Sequence, residues 1–249
     1  MEQNGKTALK VSKKILILGA SGMLGSTMIR LFAESEHFDV TGAVRSASGV
    51  RFLPDHLQKS IVSGIDAEDM VSVRKLISNL RPDVVVNCIG LVKQLSDVND
   101  PLVALPINSL FPHKLARCCL ELGARVIHLS TDCLFTGRDG FYKETDVADA
   151  HDLYGISKRL GEIDYDNAIT LRTSIIGHEL NGNRSLVSWF LSQEGRVEGY
   201  KNAIFSGLMP SEMEKIHPLF WKNDTDEGGM NLFENDFLTA QIKRLSLDI

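Results

Sequence analysis

The stretch KILILGASGMLG, residues 14–25, decides the fold of this chain. Its first five residues, Lys14–Leu18, have strand length and are apolar after Lys14, and glycines follow at Gly19, Gly22 and Gly25. In a dinucleotide-binding turn the first glycine permits the tight turn, the second lets a diphosphate approach the backbone, and the third lets helix and strand pack. A strand, this glycine spacing and a following amphipathic helix together predict a dinucleotide-binding βα unit.

Short β-branched runs and amphipathic segments alternate along the rest of the chain to about Gly177. Such alternation is typical of a parallel sheet covered by helices on both faces. We therefore predict an α/β protein with a Rossmann-type doubly wound parallel sheet. Beyond Lys14–Leu18 the predicted strands are Phe38–Val44, Ser60–Ile65, Val84–Cys88, Arg125–Leu129 and Ala168–Leu171. The predicted helices start near Leu24 and Phe111 and cover Glu68–Leu80, Leu153–Tyr165 and Ser185–Leu191.

The pattern divides the chain into three parts: an N-terminal extension (1–13), an NAD(P)-binding Rossmann domain (14–180) and a substrate-lobe region (181–249). The last part is less regular, and Lys222–Asn231 is polar, acidic and glycine-containing. We expect its final residues to lean on the main domain or to stay mobile. Leu186, Trp189 and Phe190 are expected to pack as one apolar helix face.

Composition narrows the class of protein. The chain has 249 residues, 43% hydrophobic and 24% charged, with a net charge of −5. This is an ordinary globular balance without the basic footprint of a nucleic-acid binder. Its longest apolar runs are strand-sized, so no membrane span is expected, and the N-terminus lacks the features of a secretory signal. Four cysteines without zinc spacing are typical of reduced thiols in the cytoplasm, no metal site is predicted, and His128 is expected to be a hydrogen-bonded core residue.

Polar and small residues follow the later strands, at the sheet edge where a Rossmann cofactor lies. Arg45 and Ser46 come about twenty residues after the glycine turn, where NAD-preferring proteins place an acid on the ribose. A guanidinium pairs bidentately with phosphate, so Arg45 favours NADPH over NADH. Asp66 is expected to bond the adenine edge. The predicted cofactor-binding residues are Gly19, Ser21, Gly22, Met23, Leu24, Gly25, Arg45, Ser46, Asp66, Ala67, Gly90, Leu91, Tyr154 and Lys158.

Thr131, Tyr154 and Lys158 form the predicted catalytic set, with Asn108 in support. Tyr154 and Lys158 are four residues apart on a predicted helix, so their side chains leave the same face. The reference pKa of a phenol is about 10, and we expect the Lys158 ammonium to lower it. Thr131 follows the fifth strand, where its hydroxyl would hold a substrate carbonyl while Tyr154 donates the proton. Asn108 is expected to anchor a water that relays protons to Lys158.

Six further stretches share the pattern of one family. They are RPDVVVNCIG (81–90), INSLFPHKLA (107–116), STDCLFTG (130–137), YKETD (142–146), YGISKRLGE (154–162) and LRTSIIG (171–177). From about Lys14 to Leu208 the chain resembles the dTDP-4-dehydrorhamnose reductase branch of the extended short-chain dehydrogenases. The resemblance implies NAD(P)H-dependent reduction of the 4-keto group of a nucleotide-activated deoxysugar, for polysaccharide or O-antigen precursors. On this resemblance Thr131, Tyr154 and Lys158 match the catalytic positions, and Gly22, Met23 and Leu24 the phosphate-binding turn.

The resemblance also has departures. Met209–Ile249 does not resemble the longer sugar-gripping lobe of the family, so we expect a reduced, divergent or truncated lobe. Two alternatives therefore stay open: a reductase or epimerase of another nucleotide sugar, such as a UDP-amino sugar, and a noncatalytic NADP-binding regulatory subunit like the one that partners methionine adenosyltransferase. Asp132 either touches the sugar or caps a turn. The sequence is compatible with a homodimer.

Overall fold

A computed structural model describes residues 12–93 and 96–199, with the exception of the Ser96 side chain. Within this part six parallel strands form one sheet in the order β3-β2-β1-β4-β5-β6. The predicted Rossmann-type sheet is thus confirmed. The expectations for most of the N-terminal extension and for Met209–Ile249 lie outside the described residues. The strands are β1 (Lys13–Leu18), β2 (Phe38–Val44), β3 (Ile61–Ser63), β4 (Val84–Asn87), β5 (Arg125–Ser130) and β6 (Ala168–Arg172).

Helices and tighter turns connect these strands. The helices are α1 (Met23–Ala33), α2 (Asp55–Gln58), α3 (Met70–Leu80), α4 (Pro101–Ala104), α5 (Phe111–Leu122), α6 (Leu153–Leu160) and α7 (Leu186–Leu191). A π-helical segment, Leu105–Leu110, joins α4 to α5. Short 3₁₀ turns cover Ala47–Phe52, Ser96–Asn99 and Asp132–Leu134. None of the helices in the described ranges combines the length and the apolar character needed to cross a membrane.

The strand register brings the carboxyl ends of the strands to one edge of the sheet. Leu18, at the end of β1, lies opposite Ala43 of β2 and Asn87 of β4. The strand order reverses between β1 and β4, and in open α/β sheets the crevice at such a switch point is where ligands bind. The glycine turn and the segments after β4 and β5 therefore meet at this edge.

Apolar side chains fill both faces of the sheet. Alternate residues of β1 point to opposite sides: Ile15 and Ile17 belong to a cluster with Phe32 of α1, and Leu16 and Leu18 to one with α5. All four are at most 1% exposed. Burial on both faces explains the continuous apolar runs that the sequence shows instead of an alternating pattern.

The largest difference from the predicted elements is the helix that carries Tyr154. The sequence predicts Leu153–Tyr165, whereas α6 ends at Leu160. A Cβ on Gly161, the C-cap residue of α6, would overlap the carbonyl oxygen of Asn108, so the chain passes directly against the π-helical segment where the helix ends. His113 donates from Nε2 to the Leu160 carbonyl (2.8 Å), which satisfies one carbonyl of the helix end.

Two smaller predictions also differ from the structure. The edge strand β3 is Ile61–Ser63, shorter than the predicted Ser60–Ile65, because it pairs only with β2 through three residues. The expected packing of α7 is wrong: Leu186, Trp189 and Phe190 are 58%, 42% and 57% exposed, because the described residues place no apolar surface over them.

Candidate active site

The glycine turn after β1 has the shape that a dinucleotide diphosphate needs. Gly19 has φ of 79°, a left-handed conformation suited to glycine. A Cβ on Gly25 would overlap the Gly19 carbonyl oxygen, so the third glycine permits α1 to start against the turn. Gly22 is the N-cap of α1 and provides no side-chain cap, and both Ser21 and Gly22 are exposed. The first amide groups of α1 are therefore accessible to an anion, and the turn fits the diphosphate.

The ends of β2 and β3 lie beside this turn. A Cβ on Gly49, in the 3₁₀ turn after Ser46, would be 3.0 Å from the Cβ of Ser21, so the two segments are in contact. Arg45 is exposed, and the Ser46 hydroxyl accepts the Ser48 amide at 3.3 Å. After β3, the Asp66 side chain accepts the Glu68 amide at 3.0 Å. Ala67 is buried in the sheet's second apolar cluster.

Tyr154 and Thr131 approach each other at the end of β5. The Thr131 Oγ1 accepts the Cys133 amide at 3.1 Å, which fixes the side chain at the start of the 3₁₀ turn. Its own hydroxyl hydrogen has a long, 3.4 Å contact with Asp132 Oδ1. Burial raises the pKa of Tyr154 to about 12, and a hydrogen bond with the Thr131 side chain acts in the opposite direction. The phenol is therefore protonated at neutral pH.

Lys158 is almost fully buried one helical turn after Tyr154, at 5% exposure. Its Nζ donates to the carbonyl of Leu129 in β5 at 2.8 Å. Burial lowers the pKa of Lys158 to about 8, against opposing contributions from Glu162 and Cys88. The expectation that Lys158 lowers the pKa of Tyr154 is not met, because burial of the phenol dominates and Lys158 is bonded to β5 instead.

Asn108 joins the loop after β4 to the catalytic helix. Its Oδ1 accepts the Leu91 amide at 2.9 Å, and its Nδ2 donates to the Ser157 hydroxyl at 3.1 Å. A Cβ on Gly90 would lie 3.4 Å from Asn108 Oδ1 and 3.6 Å from Lys158 Nζ, so these residues surround one point. Both ends of the Asn108 amide are thus engaged, and its role as anchor of a relay water stays a prediction.

The structure adds Asp152, Lys93 and Ser174 to the residues that the sequence indicates. Asp152 caps α6 by accepting the Gly155 amide and pairs with Lys93, each at 2.7 Å. Asp132 contacts the Ser174 hydroxyl, which joins the ends of β5 and β6. A signal existed for Asp152, an N-cap residue type just before the helix, and for Ser174, a polar residue after a strand. Nothing in the sequence indicates that Lys93 reaches Asp152.

Two other features lie apart from this edge. A cavity of about 590 Å³ is lined by Gly123, Arg125 and Asp166 among others, at the amino ends of β5 and β6. It is therefore at the opposite side of the sheet from Tyr154. In the described ranges no three His, Cys, Asp or Glu side chains converge in a way that could hold a metal ion.

A doubly wound sheet with a glycine turn after β1 and a Tyr/Lys helix beside β5 defines a protein with the Rossmann-type dinucleotide-binding fold. The family model for the RmlD substrate binding domain matches residues 13–196, and the chain belongs to this family.

Curated relatives and solved structures agree with this assignment. The chain is 34% identical over 148 residues to dTDP-4-dehydrorhamnose reductase of Streptomyces griseus, covering 59% of this chain and 43% of that protein. It is 28% identical over 151 residues to methionine adenosyltransferase 2 subunit beta of Xenopus laevis, covering 61% and 42%. The chain thus matches less than half the length of either relative.

Among solved structures, a dTDP-4-dehydrorhamnose reductase of Clostridium acetobutylicum has a TM-score of 0.66 at 21% identity, covering 82% of this chain and 69% of that one. The Bacillus anthracis reductase in complex with NADP has a TM-score of 0.53 at 22% identity, covering 68% and 56%. Both similarities show the shared fold.

Proposed function

We propose that this chain reduces the 4-keto group of a nucleotide-activated deoxysugar with NADPH, as a dTDP-4-dehydrorhamnose reductase does. The observation that carries the proposal is the meeting of Thr131, Tyr154 and Lys158 at the carboxyl end of β5, on the edge that holds the glycine turn. Two relatives with that reductase name and the NADP complex of a structural neighbour support it.

The residues divide the work between binding and proton transfer. NADPH, when bound, supplies the hydride. The amides of Met23 and Leu24 in the first turn of α1 would hold its diphosphate, Gly22 would let it approach the backbone, and Arg45 and Ser46 would face the 2′-phosphate. Lys158, next to Gly90, would hold the nicotinamide ribose.

The proton comes from Tyr154. Its raised pKa keeps the phenol protonated, and it donates to the carbonyl oxygen as negative charge develops there. Thr131 Oγ1 accepts the Cys133 amide, and its hydroxyl hydrogen, which in this structure is directed to Asp132 Oδ1 and Tyr154, would turn to the same carbonyl oxygen when substrate is bound.

A hydride-transfer assay tests the reaction. The purified chain is supplied with dTDP-4-dehydrorhamnose and with UDP-linked 4-keto sugars, each with NADPH and with NADH. Oxidation of NADPH that depends on the dTDP sugar supports the proposal. Turnover of a UDP sugar alone would instead support a reductase of another nucleotide sugar.

The cofactor preference has its own test at Arg45. Arg45→Asp removes a phosphate partner and adds an acceptor for ribose hydroxyls, so NADPH should bind about 10- to 100-fold more weakly relative to NADH. Fluorescence titration of both nucleotides measures this ratio, with Arg51→Asp, in the next turn, as the matched charge control. An unchanged ratio in Arg45→Asp would remove Arg45 from the phosphate site.

The second candidate function is a noncatalytic NADP-binding subunit. Its support is the similarity to methionine adenosyltransferase 2 subunit beta. Tight NADPH binding without reduction of any sugar in the panel would favour this candidate.

We further propose that the protein acts in the cytoplasm, where its four free cysteines stay reduced, and that it forms a homodimer without binding nucleic acid. Light scattering of the purified chain measures the oligomeric state.

A further inference from the structure

Polar side chains lie buried in the sheet behind Lys158. Asn87 of β4 and His128 of β5 are fully buried, and Ser130 is 6% exposed. His128 and Ser130 are two residues apart, so they leave the same face of β5. This is the face of Val126, which packs in one cluster with Leu115 of α5. The prediction of a core histidine is thus confirmed, but it has polar neighbours.

The hydrogen bonds of Asn87 assign the protonation of His128. Asn87 Oδ1 accepts the Ile89 amide at 3.1 Å, so its Nδ2 is the group that faces His128 Nδ1, at 3.0 Å. An amide nitrogen donates, and therefore His128 Nδ1 accepts. Burial and the positive charge of Lys158 lower the pKa of His128 well below its usual value, so the ring is neutral with its proton on Nε2.

Two atoms on this face have no partner among the described residues: His128 Nε2 and Ser130 Oγ. A buried donor left unpaired costs about 1–3 kcal/mol, so such atoms almost always have a protein or water partner. Side chains at i and i+2 of a strand are separated by about 7 Å. One water with two hydrogen bonds of about 3 Å joins atoms about 5 Å apart, so the imidazole and the hydroxyl share one water where their ends lean toward each other.

The Lys158 ammonium reaches the backbone of β5 between these two residues. Its Nζ donates to the carbonyl of Leu129, the residue between His128 and Ser130. An ammonium has three hydrogens, and Leu129 is the one acceptor that the described residues give it. Asn108 Oδ1 accepts the Leu91 amide and Nδ2 donates to Ser157, and the described residues show no hydrogen bond from Lys158 Nζ to Asn108.

We propose that His128 Nε2 and Ser130 Oγ hold a buried water against the Lys158 ammonium, and that His128 is thereby a positioning residue for Lys158. The water accepts from His128 Nε2–H and from Lys158, and donates to Ser130 Oγ. The site follows from the contacts above, and its role in reduction rests on the proposed function.

Other titratable groups near Lys158 are Glu162 after α6, Cys88 after β4 and Tyr154 on its own helix, and His113 of α5 lies near His128. Glu162 is held by Arg172 through two hydrogen bonds of 2.8 Å, so its charge is fixed. The water adds a neutral acceptor to this set, and its loss should therefore lower the pKa of Lys158.

Three variants test the site. His128→Asn keeps an acceptor for Asn87 but removes the donor at the Nε2 position, whereas His128→Gln keeps a donor there and loses the acceptor. Ser130→Ala removes the second partner of the water.

The pKa of Lys158 is read by NMR of ¹³C-labelled lysine in the full chain, with the signal assigned by Lys158→Arg. We expect a titration near about 8 in the wild type, a pKa lower by about half to one unit in His128→Asn and Ser130→Ala, and little change in His128→Gln. Equal values in all four proteins would overturn the proposal.

A measurement on the wild type covers the case in which a variant does not fold. Nitrogen-15 NMR of the His128 ring should show the Nε2–H tautomer, with a cross-relaxation signal from that hydrogen to a long-lived water. The Nδ1–H tautomer, or no water signal, would overturn the proposal. Neither experiment uses substrate or NADPH. A chain that shows the water but reduces no sugar would refute the proposed function alone, and active enzyme without the water would refute only this inference.

Discussion

The two halves of the carboxyl edge of the sheet are built in different ways. At the ends of β1 to β3 the groups are backbone amides and exposed side chains, as in Ser21, Gly22 and Arg45. At the ends of β4 to β6 they are buried side chains bonded to one another, with Asn108 at 1% and Lys158 at 5% exposure. The first half is suited to bind phosphate because it leaves space beside backbone amides. The second half holds polar side-chain atoms at fixed positions.

Because of this difference, we expect substitutions in the two halves to have different effects. A change in the first half should affect binding through shape, because glycines there permit close approach. A change in the second half should affect proton transfer, or the pKa values that control it, while nucleotide binding is retained.

The largest expected effect is on turnover in Tyr154→Phe. Loss of the proton donor should lower kcat by about 10² to 10⁴, with NADPH affinity nearly unchanged. Steady-state kinetics and fluorescence titration measure the two quantities. A variant that loses NADPH binding to the same extent as turnover would remove the distinction between the halves.

The matching change in the first half is Gly25→Ala. The new methyl group would overlap the Gly19 carbonyl, and overpacking of this kind costs about 1–3 kcal/mol, so NADPH affinity should fall about 10- to 100-fold. Gly199→Ala is the control, since no atom lies within 4 Å of a Cβ there. Should Gly25→Ala bind NADPH like the control, the turn does not hold the diphosphate.

The buried ammonium of Lys158 should make stability depend on pH. Its pKa is lowered to about 8 in the folded chain, against about 10.4 in the unfolded chain. Below pH 8 both the folded and the unfolded state bind the proton, so burial of the ammonium destabilises the folded chain to its full extent. Between pH 8 and 10 only the unfolded state binds it, so this group raises the free energy of unfolding by up to about 1.4 kcal/mol per pH unit.

Denaturant titrations of wild type and Lys158→Met from pH 7 to 9.5 measure this effect. The contributions of Tyr154 and Cys88, whose pKa values are both raised to about 12, are common to the two proteins and largely cancel. The difference between the two free energies should change with pH in favour of the wild type. A constant difference would show that Lys158 stays charged throughout.

The smallest expected effect is that of Thr131→Val. One hydrogen bond to the substrate carbonyl is lost, worth about 0.5–1.5 kcal/mol, so turnover should fall about two- to tenfold. Single-turnover rates at saturating NADPH measure it, with Thr136→Val as the matched control. A loss as large as that of Tyr154→Phe would mean that Thr131 takes part in the proton transfer itself.

Much of the fold follows from the sequence because strands buried on both faces leave continuous apolar runs, as in Ile15–Leu18 and Val84–Val86. Residue type and position likewise indicate the glycine turn, and the spacing of Tyr154 and Lys158 indicates one helix face. The end of α6 was not predictable in this way. Tyr165 continues the apolar period, but the contact of Gly161 with Asn108 depends on two segments that are more than 50 residues apart.

The electrostatics of the site were predictable only in part. Spacing alone favours a direct effect of Lys158 on Tyr154, whereas the structure directs Nζ to the Leu129 carbonyl. Likewise, the sequence shows Asn108 but not that its amide is shared between Leu91 and Ser157. Hydrogen-bond partners that are distant in sequence leave no local pattern, so they appear only when the chain is folded.

The close contacts of α6 have a consequence for recombination between related chains. A Cβ on Gly155 would lie 2.6 Å from the Cys133 carbonyl, and one on Gly161 would overlap that of Asn108, so both ends of the helix fit against other segments. A chimera that exchanged α6 alone would pack the helix of one chain against contact surfaces from another chain. The π-helical segment, the turn after β5 and α6 should therefore be inherited as one block, and crossovers are best tolerated outside residues 105–161.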